Sequence, residues 1–113
     1  MAKYLISFPA HAMVVPEGEW DAVVRDSHAV IEHVKAAGVY VFGGGIDASV
    51  APVRVGPDGS VREGAYPREA PLTGGFTVLE LPSRDAAIDW AARMARACRC
   101  DQELRVFGFD PDS

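Results

Sequence analysis

His28 is the side chain whose type and position are best suited to acid–base chemistry. It lies between Val24 and Ile31 on a segment of helical periodicity, at the border of the apolar stripe. That position can direct the imidazole into a cleft beside a sheet, where a histidine exchanges protons near neutral pH. Asp47 follows a glycine triplet and is a candidate carboxylate for orienting the imidazole. The alternative for His28 is a boundary histidine that only hydrogen-bonds a neighbour.

Other polar candidates have weaker support from the residue pattern. The triplet Gly43-Gly44-Gly45 lacks the spacing of a dinucleotide-binding motif, so Gly44 indicates a tight turn or close approach of the backbone to a ligand. Arg25 can hold an anionic substrate, although its place nearly opposite the apolar stripe favours solvent. His11 and His33 have no partners at metal-ligand spacing.

The cysteines predict neither a disulfide nor a metal site. Cys98 and Cys100 are one residue apart, which is poor disulfide geometry and only half of a typical zinc site. No serine or cysteine stands in a recognisable activating context, which disfavours a hydrolase that uses a covalent nucleophile. We therefore expect no metal and no cofactor.

Composition indicates a single globular domain over residues 1–113. The chain is 49% hydrophobic and 24% charged, and no apolar run approaches the roughly 20 residues that cross a bilayer. With a net charge of -5 and scattered basic residues, it lacks the basic patch of a nucleic-acid binder. The N-terminal apolar run is too short for a signal peptide, so a cytoplasmic location is expected, with no membrane partner.

Periodicity and turn residues predict the elements that must position these side chains. Apolar spacing predicts one helix over 19–37, ended by Gly38, and a second that begins after an N-cap at Ser83. A turn at 56–59 predicts a surface hairpin, and residues 65–73 are expected to form a loop across one face. Strands are predicted over 2–8, 39–42, 75–81 and 104–109.

This order of elements is a split βαβ arrangement with a hairpin inserted between its halves, and it predicts a ferredoxin-like α+β fold. Helices cover only one face of such a sheet, and a second copy of the sheet is an economical cover for the other. We therefore expect a homodimer in the form of a dimeric α+β barrel. Both tryptophans, Trp20 and Trp90, lie on apolar stripes and are expected in the core.

Four segments together resemble the DGPF branch of the YCII-related domain family, and the first strand and first helix extend the resemblance to nearly the whole chain. In that family a D-G-P-F motif is followed by a strand with two glycines, a helix with an A-I-x-W-A sequence pattern and a final strand. The segments here are EGAY at 63–66, LTGGFTVLE at 72–80, DAAIDWAAR at 85–93 and ELRV at 103–106. The text around Arg25 and His28 is similar to an R-x-x-H pattern on the first helix of the YCII branch.

The resemblance implies roles for particular residues. Glu63 occupies the place of the motif acid and is a second candidate partner for His28, while Tyr66 replaces the motif aromatic and can line a pocket or donate its hydroxyl. The wider superfamily of dimeric α+β barrels includes cofactor-free oxygenases, lactone isomerases and a dehydrochlorinase. This implies a pocket for a small molecule, with a histidine and a carboxylate as the acid–base pair.

Two hypotheses follow. The first is a cofactor-independent lyase or isomerase that acts on a small cyclic or aromatic acid, with His28 as acid or base and Asp47 or Glu63 assisting. The second is a non-catalytic protein that binds a small molecule, such as an accessory or sensor protein. The loss of the D-G-P-F text and the small number of paired titratable groups favour the second hypothesis.

Overall fold

Four strands rich in apolar residues form the main sheet, and two amphipathic helices cover one of its faces. The computed structural model describes residues 1–113. A short 3₁₀ turn, Ala10–Ala12, follows the first strand. The strands and α-helices, in chain order, are β1 Ala2–Phe8, α1 Trp20–Ala36, β2 Tyr40–Gly45, β3 Val53–Val55, β4 Val61–Glu63, β5 Gly75–Leu81, α2 Arg84–Cys98 and β6 Glu103–Val106.

The sheet order confirms the predicted ferredoxin-like plan. The strands lie in the order β2-β5-β1-β6, and every neighbouring pair is antiparallel. The inserted hairpin, β3 paired with β4, forms a separate two-stranded sheet. Both chain halves therefore contribute a central strand and an edge strand, which is how the split βαβ unit closes on itself.

The core lies between the helices and the face of the sheet that they cover. Ile6 and Leu79 face this layer from the two central strands, and each exposes no more than 2% of its surface. Val34 of α1 is buried against them, and Ala87 and Met94 of α2 join the same cluster. The small Ala87 side chain permits close approach of α2 to the sheet, since contact between a helix and a sheet depends on side-chain size at the interface.

Local signals position both helices as the sequence predicts. The Ser83 hydroxyl accepts a hydrogen bond from the Ala86 amide at 3.1 Å, which caps the first turn of α2. After α1, Gly38 adopts a φ of +75°, a conformation that glycine tolerates at a helix C-terminus. Neither helix is long and apolar enough to cross a membrane.

The other face of the sheet, here called the open face, has no layer of helices over it. Leu5 and Val78 lie opposite each other at its centre, and Phe42 is paired with Val78 from the edge strand. Phe42 leaves 63% of its surface exposed. Lys3 and Glu80 form an ion pair of 3.0 Å at one end of this face, and Arg105 pairs with Glu103 at 2.8 Å on the edge strand.

Three sequence-based expectations need correction. The glycine triplet continues β2 instead of ending it, because its residues pair with Thr77, Phe76 and Gly75 of β5. The last strand ends at Val106, beyond which Phe109 is 90% exposed. Trp20 is 54% exposed because it occupies the first turn of α1, whereas Trp90 does pack against the core.

Candidate functional site

A cavity of about 550 Å³ lies between α1 and the glycine end of β2, with His28 in its wall. Residues of α1 form one side, residues of β2 and β5 form the other, and Met94 and Gln102 close the region near α2. The volume lies within the range of about 300 to 1,000 Å³ that is common for small-molecule sites. His28 itself stays exposed to solvent, so a ligand can reach its imidazole.

The α1 side of the cavity follows from helical spacing. His28, Ile31, Glu32 and Lys35 are three, four and seven residues apart, and residues at these intervals share one helix face. Ile31 packs against the core and holds this face toward the sheet, while the polar members project into the cavity. The helix therefore presents an imidazole, a carboxylate and an ammonium group to one space.

The cavity wall formed by β2 depends on glycines, which have no side chains to fill the space. A Cβ atom added to Gly43 would lie 3.1 Å from the Tyr40 hydroxyl oxygen and 3.4 Å from the Phe76 carbonyl oxygen. The pairing of β2 with β5 shifts between Tyr40 and Phe42, which makes Val41 the extra residue of a bulge. After this shift Tyr40 and Gly43 both border the cavity, and the tyrosine ring can lie across the glycine backbone.

Charges in the cavity are loosely paired. Lys35 Nζ lies 3.9 Å from Glu32 Oε1, at the outer limit of an ion pair, and 5.3 Å from the centroid of the Tyr40 ring. Because both charged side chains are more than half exposed, the pair contributes little to stability and can rearrange around a ligand. His28 makes no side-chain hydrogen bond or ion pair.

The structure brings together only two of the side chains or backbone positions predicted for the site. His28 and Gly44 line the cavity, whereas Asp47 and Arg25 do not. The Ser49 hydroxyl donates to Asp47 Oδ1 at 2.6 Å and the Ser49 amide donates at 2.9 Å, and these hydrogen bonds hold the pKa of the Asp47 carboxyl below its usual value. Asp47 therefore stabilises its own turn.

Glu63 and Tyr66 are also outside the His28 cavity. Glu63 ends β4, opposite Val53 in the separate hairpin. Tyr66 lines a second cavity, of about 610 Å³, between the hairpin and the loop that follows it. Arg25 is exposed, with its Nε atom 3.6 Å from Asp26.

Sequence reasoning missed six polar residues of the cavity, and the three that bear on its chemistry are Glu32, Lys35 and Tyr40. For two of them a signal was present, because they follow His28 at intervals of four and seven residues on the same helix. Tyr40 had no such signal. Its contribution depends on the β2 bulge, which arises from pairing with a strand more than thirty residues later.

The thiols do not offer a nucleophile to this site. Burial raises the pKa of Cys98 to about 11, and burial also raises the pKa of Cys100. Both cysteines are free, and a thiol of raised pKa stays protonated and weakly nucleophilic at neutral pH. No three His, Cys, Asp or Glu side chains are grouped so that they could hold a metal ion.

Comparisons with known proteins identify a family, and similar solved structures include one enzyme. The family model for the YCII-related domain matches residues 3–100. A solved structure of 5-chloro-2-hydroxyhydroquinone dehydrochlorinase from Burkholderia phenoliruptrix, in complex with 2,5-dihydroxybenzoquinone, is similar to this chain at 14% sequence identity and a TM-score of 0.46. The similarity covers 96% of this chain and 93% of that chain. No curated protein matches the chain.

Proposed function

We propose that this chain, which belongs to the YCII-related domain family, forms a homodimer and binds a small organic acid in the cavity beside His28. The proposed reaction is a proton transfer of the lyase or isomerase type that requires no cofactor. The observation that carries the proposal is the imidazole of His28 in the wall of a cavity large enough for such a molecule.

The chemistry requires one group that accepts a proton and returns it. An unpartnered, accessible imidazole can remove a proton from a substrate carbon and deliver it to another carbon, which is an isomerisation with no net redox change. If a leaving group departs with its electron pair after the proton is removed, the same base catalyses an elimination. Both outcomes balance without an external oxidant or metal.

Glu32 is the carboxylate that we propose for the partner role predicted for Asp47 and Glu63. It lines the cavity one helical turn after His28, and it can orient the imidazole or stabilise its protonated form. Lys35 lies one further turn along the helix. Its ammonium group can bind the carboxylate of the substrate in place of the loosely paired Glu32. The Tyr40 hydroxyl is placed to donate a hydrogen bond over Gly43.

The surface area supports the proposed dimer. A folded monomer of 12.1 kDa is expected to expose about 6,000 Å². This chain exposes 7993 Å², a surplus of roughly 2,000 Å². Obligate homodimers bury roughly 1,000 to 2,500 Å² on each subunit, so the surplus matches the share of one protomer. The open face, with Leu5 and Val78 at its centre and Phe42 on its edge strand, is the surface that we propose for this contact.

The test is a nuclear magnetic resonance titration of the full chain with a panel of small aromatic and unsaturated lactone acids in D₂O. We expect binding to perturb the His28 ring resonances and substrate carbon-bound protons to exchange for deuterium. His28→Asn should abolish the exchange, whereas His33→Asn is the matched control because His33 lies on α1 outside the cavity.

The outcomes separate the two hypotheses. Exchange that survives His28→Asn would overturn the catalytic role of His28. Saturable binding at the cavity without exchange for any acid of the panel would favour the non-catalytic alternative, which the absence of a carboxylate in contact with His28 also supports.

A further inference from the structure

The second cavity lies between the β3–β4 hairpin and the loop that follows it, and it shares no lining residue with the His28 cavity. Its volume is about 610 Å³. Arg54 of β3 and Arg68 of the loop supply two positive charges to its wall, and Tyr66 and Leu72 supply an aromatic ring and an aliphatic side chain. None of the lining residues carries a negative charge.

The Arg54 guanidinium is not neutralised within the chain. It lies 5.8 Å from the centroid of the Tyr66 ring, within the range of a cation–π contact. Its Nε atom is excluded from solvent and has no hydrogen-bond partner. Buried polar groups in proteins almost always have partners, and a partly desolvated cation without a counter-ion is unfavourable. Neither Arg54 nor Arg68 forms an ion pair with a carboxylate of this chain.

The register of the hairpin keeps the carboxylate of Glu63 from compensating for the charge of Arg54. Arg54 lies directly opposite Arg62, and like charges in this arrangement destabilise a pair of strands. Glu63 is opposite Val53 instead, so its side chain projects from the other side of the hairpin. In a chain with 16 acidic and 11 basic residues, the hairpin and loop thus keep several arginines together without acidic partners.

We propose that this cavity is a second binding site, specific for a small carboxylate with an apolar or aromatic body. The ligand carboxylate accepts hydrogen bonds from the guanidinium groups of Arg54 and Arg68, whose planar donors match its geometry. Its apolar body packs on Tyr66 and Leu72. The site is independent of the proposed reaction at His28, because the two cavities have no residue in common.

A competing occupant is an acidic segment of a second copy of the chain. The small carboxylate is favoured because the lining is concave and has an aromatic ring beside Arg54, which matches a compact ligand with a charged end and an apolar body. The test below distinguishes the two, since only the second occupant links Arg54 to the state of association.

The experiment is a titration of the full chain with benzoate, monitored by calorimetry and by backbone amide resonances, with benzamide as the neutral isostere. We expect benzoate to perturb amides of residues 53–55 and 65–68 and benzamide to bind at least tenfold more weakly, as expected for loss of charge-assisted hydrogen bonds. Arg54→Gln and Arg68→Gln should each weaken benzoate binding about tenfold or more. Arg54→Lys, which keeps the positive charge, should retain part of the benzoate affinity that Arg54→Gln loses.

Control measurements distinguish loss of binding at this cavity from loss of binding at the His28 cavity. Arg84→Gln, a change in an exposed arginine of α2 outside both cavities, should leave the benzoate affinity measured at the amides of residues 53–55 and 65–68 unchanged. Three results would overturn the proposal: equal affinity for benzamide and benzoate, amide perturbations confined to the His28 cavity, or unchanged benzoate affinity in both arginine variants. So would a shift of the monomer–dimer equilibrium by Arg54→Gln with no benzoate response at residues 53–55 and 65–68.

Discussion

Arg99, the C-cap residue directly after α2, reaches across to α1 and places its Nη2 atom 2.9 Å from Asp26 Oδ2. The same guanidinium donates to the carbonyl oxygens of Arg96 and Ala97 at 3.0 and 2.7 Å, so it also satisfies the end of its own helix. Asp26 precedes His28 by two residues. The contact therefore ties the segment of α1 that carries the candidate base to the second helix.

The first prediction concerns this ion pair. Arg99 has a φ of +61°, a left-handed conformation that is strained for a residue with a side chain. Arg99→Ala removes the contacts and keeps the strain, whereas Arg99→Gly removes the contacts and relieves it. We expect the alanine variant to be less stable than the glycine variant by about 1 kcal/mol, measured by urea unfolding. Equal stabilities would contradict this account of the helix end.

Asp26→Asn tests the electrostatic part of this contact, together with the longer 3.6 Å contact between Asp26 and Arg25. The two side chains are 38% and 33% exposed, so solvent screens the attraction and the expected loss of unfolding free energy is below about 1 kcal/mol. The loss should decrease in high salt, because added ions screen a partly exposed pair. A salt-independent loss would indicate packing changes instead of electrostatics.

The second prediction concerns the glycine side of the His28 cavity. Gly43→Ala places a methyl group against the Tyr40 hydroxyl and should displace the ring, which would weaken ligand binding several-fold in the titration described above. Gly44→Ala is the matched control, because its Cβ meets only Phe42 at an ordinary distance of 3.7 Å. Similar losses of affinity in both variants would be inconsistent with the geometry described.

The third prediction concerns the turn into β5. Gly74 has a φ of +80°, and a Cβ atom there would overlap the carbonyl oxygen of Phe8. Gly74→Ala should therefore destabilise the fold by more than about 2 kcal/mol, through backbone strain and the displacement of β1. Gly59, at the hairpin turn, has a φ of +83° and open space around it, so Gly59→Ala should cost only about 1 kcal/mol. Thermal unfolding of both variants gives the comparison.

The fourth prediction concerns pH. Burial raises the pKa of Cys98 from 9.0 to about 11, so between these values the unfolded chain releases a proton that the folded chain retains. Stability is therefore fully present below pH 9 and declines as the pH rises toward 11, by at most about 3 kcal/mol from this group. Cys98→Ala should reduce the slope of unfolding free energy against pH over this window. An unchanged slope would show that other groups cause it.

The fifth prediction concerns the open face. Val78→Glu places a charge at the centre of the surface proposed for dimer contact and should produce monomers in analytical ultracentrifugation, because an unpaired charge is costly to bury. Ile88→Glu is the control, since Ile88 is 47% exposed on α2, away from the sheet. A wild-type chain that is monomeric at all concentrations would contradict the dimer, as would a Val78→Glu chain that still dimerises.

Comparison of the predicted and observed elements shows where local patterns are informative. The order of strands and helices was predicted correctly, because the apolar run of β1 and the stripe on α1 each report burial within one element. The N-cap at Ser83 was also predicted from its neighbours alone. The extent of β2 was not, because its glycines are held by pairing with a distant strand and carry no side chains that would indicate it.

The same difference between local and long-range information applies to the candidate site. The helical face on which His28 lies could be predicted from the sequence, since that face depends only on the residues of α1. Which groups share its cavity depends on how distant elements pack in the folded chain. Asp47 is held in a local turn by Ser49, and Tyr66 lies with Arg54 in another cavity. Proximity between residues far apart in the chain depends on strand register and on how elements pack, and neither is encoded in the spacing of a single segment.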